Sequence, residues 1–127
     1  MTTCPFCSLD ASRIVFADEY VLALDDAYPV SPGHALAVPR RHVVSWFDLS
    51  DVERQSLMVM LDLLKQRIEQ SAKPDGYNIG INDGPAAGQT VHHVHMHLIP
   101  RFDGDVPDPR GGIRWVISGK ARYWREG

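Results

Sequence analysis

A chain of 127 residues that is 44% apolar and 23% charged has room for one packed core and needs no disulfide to hold it. A formal net charge of −3 excludes a general electrostatic pull toward nucleic acid or an acidic membrane surface. No apolar run approaches the roughly 20 residues of a membrane span, and the opening residues lack the basic-then-apolar order of a secretory signal, so the expected compartment is the cytoplasm.

The chain begins with Cys4-x-x-Cys7, its only two cysteines. In a reducing compartment this spacing suggests a redox pair or half of a zinc site rather than a structural disulfide. Residues 12–17 and 20–25 read as short strands, and residues 28–33 as a turn marked by Pro29, Pro32 and Gly33. Residues 34–39 read as a third strand, with a short helix near 43–47. Ser50-Asp51-Val52-Glu53 is a capping box that opens a long helix reaching about Ser71. Leu57, Leu61, Leu64 and Ile68 recur at helical spacing and form its expected buried stripe. Lys73-Pro74-Asp75-Gly76 ends it. Residues 77–82 read as a fourth strand, residues 83–88 as a flexible Gly-rich loop, and residues 91–99 as a fifth strand. Turn signals fill 107–112, and residues 113–117 suit an edge strand. Hairpin connections dominate, so the expectation is an α+β domain: about five antiparallel strands with one long and one short helix.

The fifth predicted strand carries the chemistry. Its segment His92-His93-Val94-His95-Met96-His97-Leu98 holds four of the six histidines. Side chains of a strand alternate between faces, so His93, His95 and His97 would share one face and Val94, Met96 and Leu98 the other. Three imidazoles in a row suit a metal site, because neutral imidazole is a good zinc ligand. They equally suit nucleophilic catalysis on phosphorus, because much of a histidine population is neutral near pH 7. The preceding loop, Asp83 to Thr90, can bring backbone N–H groups close to an anion, since glycine lets the backbone approach.

The segment Gly88-Gln89-Thr90-Val91-His92-His93-Val94-His95-Met96-His97-Leu98-Ile99 resembles the histidine triad (HIT) family motif, His-φ-His-φ-His-φ-φ with φ apolar. Asp26 followed by Pro32-Gly33-His34-Ala35-Leu36-Ala37-Val38-Pro39 is similar to the strand-turn-strand of the same family. The resemblance runs from about Cys4 to Arg101 and is much weaker over the last 26 residues, so the chain is expected to be a single HIT domain followed by a tail at 102–127.

The resemblance implies a nucleotide hydrolase or nucleotidyl transferase. His95 would attack the α-phosphorus and carry the nucleotide until water or another acceptor takes it. His97 and His34 would support the phosphate. Gln89 and Thr90 would bond phosphate or leaving-group oxygens, Asp26 the ribose hydroxyls, and Asn82 sugar or phosphate. His92, out of register, would be structural or partly exposed. The resemblance to bacterial members that begin with Cys-x-x-Cys implies a structural Zn2+ held by Cys4, Cys7, His42 and His93.

The substrate branch stays open between a dinucleoside polyphosphate hydrolase and a purine nucleoside phosphoramidase. A zinc-water metallohydrolase built on the histidine row and a nucleotide-binding module with little turnover are the other readings. The resemblance further implies a homodimer with two sheets joined side by side. The helix has apolar residues to spare for that at Met58, Val59, Met60 and Leu63, and Trp115 and Trp124 are candidates for substrate choice or the interface.

Overall fold

The computed structural model describes residues 4–125; the first three residues and the last two of the tail lie outside it. Five antiparallel strands form one sheet in the order β1-β2-β3-β5-β4: β1 Ile14–Ala17, β2 Val21–Asp25, β3 Ala35–Pro39, β4 Gly76–Ile81 and β5 Met96–Arg101. The single α-helix among the described residues, α1 Asp51–Ser71, crosses one face over β2, β3 and β5.

The capping box at the start of α1 is formed in full. The Ser50 hydroxyl accepts from the Glu53 N–H, and the Glu53 carboxylate accepts from the Ser50 N–H. Glu53 is buried, and its second task explains why: Arg41 donates to it from Nη2 at 2.7 Å and from Nε at 3.2 Å. That guanidinium is the main reason the Glu53 carboxyl is held below its ordinary range.

The helix buries Leu57, Met60, Leu64 and Ile68. Met60 therefore belongs to the core at 2% exposure, whereas its neighbours Met58 and Val59 stand out at 52% and 54%. Leu61 and Leu63 sit half-buried at the margin of the core.

Strands β2 and β3 are covered on both faces, which their unbroken apolar runs require. Val21, Ala23, Ala35 and Ala37 face α1, while Leu22, Leu24, Leu36 and Val38 pack under Phe6, Leu9 and Ile14. In β5, Met96, Leu98 and Pro100 are buried and alternate with half-buried His97, Ile99 and Arg101. Since His97 pairs with Leu36 and Gly80, it lies on the face away from the helix. Pro100 is tolerated in β5 because β3 pairs no further than Ala35 with Leu98. Gly33 has a φ of +88°, and a Cβ there would stand 3.3 Å from Pro100 and 3.4 Å from Ile68, so the Pro-Gly-His turn needs its glycine twice over.

Four expectations change. The fifth strand starts at Met96 rather than Val91, because the His93 N–H turns back to the Val91 carbonyl and the Val94 N–H goes to Val43. Residues 113–117 are not an edge strand but part of a kinked 3-10 segment, Gly112–Lys120. The first strand begins at Ile14, after a 3-10 turn at Ala11–Arg13, and the short helix foreseen near 43–47 is a 3-10 turn at Trp46–Asp48.

Candidate active site and metal centre

The late start of β5 separates the three histidines. His93 and His95 precede the strand and only His97 lies in it. His93 is fully buried and its ring runs toward the N-terminal cysteines. Its Nε2–H donates to the Pro39 carbonyl at 2.8 Å, which leaves the Nδ1 lone pair for Cys4 Sγ at 3.4 Å and Cys7 Sγ at 3.5 Å. Cys7 Sγ also lies 3.2 Å from His42 Nδ1. The ligand atoms of Cys4, Cys7, His42 and His93 all fall within 4.8 Å of one another. A tetrahedral ion with Zn–S about 2.3 Å and Zn–N about 2.0–2.1 Å sets S···N edges of roughly 3.5 Å. The donor set, the spacing and the carbonyl that selects the His93 tautomer all fit a structural zinc site.

His95 is half-buried. Its Nδ1–H donates to the His93 carbonyl at 2.9 Å, so Nε2 keeps a free lone pair. His97 lies beside it, with ring centroids 5.1 Å apart.

His34 and His97 form a directed chain. The Val30 N–H donates to His34 Nδ1 at 3.1 Å, which places the His34 proton on Nε2. That Nε2–H donates to His97 Nδ1 at 2.9 Å, with Asp26 Oδ2 close by at 3.4 Å. His97 therefore carries its own proton on Nε2 and presents a neutral N–H donor. Burial first, then the neighbouring His95 and His34, depress His97 to about 4 against a partial counter-pull from Asp26. Burial likewise lowers His34 and His93. Asp26 is held in place by the Tyr28 N–H, which donates to Oδ1 at 2.8 Å.

The ligand atoms of Asp26, His34 and His97 also lie close enough together to be considered for a metal. The Val30 N–H argues for a proton there instead, since it occupies the nitrogen to which His34 would have to move its proton. The zinc-water reading on His93, His95 and His97 does not hold either. The His93 ring is turned to the cysteines, and neither metal-competent cluster among the described residues contains His95.

The Gly-rich loop is tied down rather than flexible. Asp83 accepts from the Ser45 hydroxyl and from the Trp46 N–H, each at 2.9 Å. Gln89 is buried and bonds the loop to itself and to the 43–46 segment. Its Oε1 accepts from the Gly84 N–H, and its amide donates to the carbonyls of Val44 and Val91. Both amide hydrogens are thereby used inside the protein, so Gln89 braces the loop. Thr90 is exposed at the end of this loop. Asn82 is half-buried just past β4, on the strand face of Gly80, which pairs with His97.

The C-terminal tail packs beside this face. A Cβ at Gly112 would stand 3.5 Å from Asn78 Nδ2, and one at Gly80 3.9 Å from the Ile113 side chain. Trp115 and Trp124 turn inward on the tail itself: Trp115 Nε1 donates to the Arg110 carbonyl, and the Arg110 guanidinium lies 4.6 Å over Trp124.

The sequence did not point to the Val30 N–H, because a backbone donor leaves no side-chain signal. The Phe6 ring, between the two cysteines, also lies against His93 and His95, with ring centroids 5.7 and 5.1 Å apart, contacts that the sequence did not point to. Exposed His92 agrees with its out-of-register position.

Similarity to known proteins follows this geometry. Residues 10–104 match the HIT domain model. An uncharacterised HIT-like protein of Methanocaldococcus jannaschii is 40% identical over 108 residues, 80% of this chain and 81% of its own. The bis(5'-adenosyl)-triphosphatase of Saccharomyces cerevisiae is 39% identical over 95 residues, 74% of this chain and 46% of the yeast protein. The crystal structure of a Zn-bound histidine triad family protein from Mycobacterium smegmatis superposes with a TM-score of 0.66 at 31% identity, covering 83% of this chain and 81% of that one. The histidines at 93, 95 and 97, the Pro-Gly-His turn and the five-stranded sheet thus agree with the matches: this chain belongs to the HIT family.

Proposed function

We propose that this protein hydrolyses dinucleoside polyphosphates at the α-phosphorus through a nucleotidyl-histidine intermediate on His95. One observation carries the reading. The His93 carbonyl holds the His95 proton on Nδ1 and leaves the Nε2 lone pair free on a half-exposed ring. In the first step this lone pair forms an N–P bond while the bond from the α-phosphorus to the bridging oxygen breaks. The leaving nucleotide departs with the electron pair. Water then attacks the same phosphorus, the N–P bond breaks, and a proton is lost as His95 returns to neutral.

The neutral His97 N–H donates to a phosphate oxygen as charge builds there, and His34 with the Val30 N–H keeps that proton in place. Asp26 and Asn82 contact the sugar, and Thr90 the phosphate end. Cys4, Cys7, His42 and His93 hold a structural zinc ion, whose contribution is to fix the N-terminal segment against the site. The protein works as a homodimer joined along β4, a sheet edge on whose helix side Ile79 is exposed. The yeast relative's activity supports the dinucleotide substrate. The constellation of Cys4, Cys7, His42 and His93 resembles bacterial members of the purine nucleoside phosphoramidase branch, which makes that the second reading, with the same attack and an amine leaving group.

The test is product identification with a diadenosine polyphosphate and an adenosine phosphoramidate, using wild type and His95→Asn. Loss of roughly 1,000-fold or more in the variant is expected on whichever substrate is turned over. A loss of only a few-fold would remove His95 from the nucleophile role. Turnover confined to the phosphoramidate would select the second reading.

A further inference from the structure

The four residues of the cysteine-histidine site are not held alike. His93 is fully buried, and the Pro39 carbonyl fixes its ring at 2.8 Å. Cys4 and Cys7 close their own turn, the Cys7 N–H donating to the Cys4 carbonyl at 3.2 Å. His42 is exposed. Among the described residues its ring has one hydrogen-bond partner, Cys7 Sγ at 3.2 Å, and one ring neighbour, His93 edge-on at 5.1 Å. A metal-binding imidazole is ordinarily oriented by a partner on its other nitrogen. For His42 the orientation has to come through the backbone on either side of it.

That backbone is tied residue by residue. Arg40 donates from its N–H to the Tyr20 carbonyl at 2.8 Å and from Nε to the Asp18 carbonyl at 2.7 Å. The Val43 carbonyl accepts from the Val94 N–H at 2.7 Å. Arg41, next to His42, reaches the first turn of α1, where Nη2 and Nε donate to the two oxygens of Glu53 at 2.7 and 3.2 Å. A capping box is complete with the Ser50 and Glu53 groups alone. Here Glu53 is 4% exposed and takes a guanidinium as well, its Oε1 accepting from the Ser50 N–H and from Arg41 Nη2 together. The cap does not account for that guanidinium. A two-pronged guanidinium–carboxylate contact fixes direction as well as distance, and the backbone fixed here is that of a metal ligand.

We propose that Arg41 and Glu53 are a positioning pair for the metal site: they tie the segment carrying His42 to α1 and so preorganise that imidazole toward Cys7 and His93. The inference rests on zinc being held by Cys4, Cys7, His42 and His93. A ligand that is already ordered costs less entropy to bind than one that is ordered on binding, so the pair acts on metal affinity. A role confined to capping the helix would act on unfolding alone.

The test uses the full chain as wild type, Arg41→Ala, Arg41→Lys and Ser50→Ala. Zinc dissociation constants are read by competition with a chromophoric chelator, alongside thermal unfolding. In zinc-free protein, amide hydrogen exchange is read at Val94, whose bond to Val43 reports on the segment. Arg41→Ala should bind zinc roughly 10-fold more weakly, and its Val94 amide should exchange faster. Arg41→Lys keeps the charge without the fork and should fall between Arg41→Ala and wild type. Ser50→Ala breaks the cap and leaves the pair, so it should lower the unfolding temperature while zinc affinity stays within about twofold.

If Arg41→Ala does not fold because it leaves the Glu53 carboxylate buried alone, the double variant Arg41→Ala, Glu53→Gln removes that charge and carries the same comparison. Zinc affinity or Val94 exchange equal to wild type in the folded variant would overturn the proposal. So would a loss of affinity in Ser50→Ala as large as in Arg41→Ala, which would trace the effect to the helix and not to the pair. Wild type that takes up no zinc would overturn the zinc reading and the proposal together, whereas zinc-binding wild type with an indifferent Arg41→Ala would overturn the proposal alone.

Discussion

His97 shows how burial sets the state of a single residue. Its folded value of about 4 lies well below the ordinary 6.5, chiefly because the ring is buried. As pH falls below 6.5 the unfolded chain takes up a proton that the folded ring refuses until about pH 4. Stability is therefore fully present above 6.5 and declines through that window, by on the order of 3 kcal/mol. Denaturant unfolding at pH 7.5 and 4.5 should show a larger acid loss in wild type than in His97→Gln. Equal losses would mean that the ring is not held neutral. Gln89 offers a second residue-scale test. Its amide braces three backbone groups, so Gln89→Ala should lower stability by roughly 2–3 kcal/mol. A purely phosphate-binding glutamine would raise KM and leave unfolding unchanged. The residue types of the site were legible from the motif, but their hydrogen-bond directions were not. The tautomers of His34, His93 and His95 follow from the Val30 N–H and the carbonyls of Pro39 and His93, and residue names do not encode those contacts.

At the scale of elements, α1 was the best-read feature, because its cap and its period are local properties. Ser50→Ala should cost about 1 kcal/mol through the lost cap. Leu64→Ala, at a position with no exposure, should cost about 2–5 kcal/mol. Met58→Ala, on the exposed side, should change unfolding by less than about 0.5 kcal/mol in the monomer. Denaturant midpoints for the three variants check the order. A Met58→Ala cost matching that of Leu64→Ala would contradict the burial of this helix. The histidine segment was read less well, since alternation alone suggests a strand from Val91. The actual start at Met96 depends on Val43, a residue far away in sequence, capturing the Val94 N–H. The tail was misread for a related reason: Ile113, Trp115 and Ile117 alternate like a strand, yet no sheet edge pairs with them and the segment coils into 3-10 turns.

For the whole molecule, native mass spectrometry of protein purified without chelator should show a homodimer with one zinc ion per chain. Cys7→Ser should lose the metal. Well under one equivalent in wild type would reject the zinc site, and a monomer at micromolar concentration would reject the dimer. No described helix is long and apolar enough to cross a membrane. The sequence by itself determined the α+β class, the long helix, the family motif and the residue types that meet around it, because each of these rests on composition, local periodicity or short-range spacing. The resemblance already implied how the histidines divide, and only the tertiary structure supplied the contacts behind that division. It turned His93 to Cys4, Cys7 and His42, left His95 with a free nitrogen, and joined His97 to His34, Asp26 and the Val30 N–H. These partners come from the N-terminus, the β2–β3 turn and the segment after β3. Contacts between such distant stretches exist only once the sheet has brought them to one face.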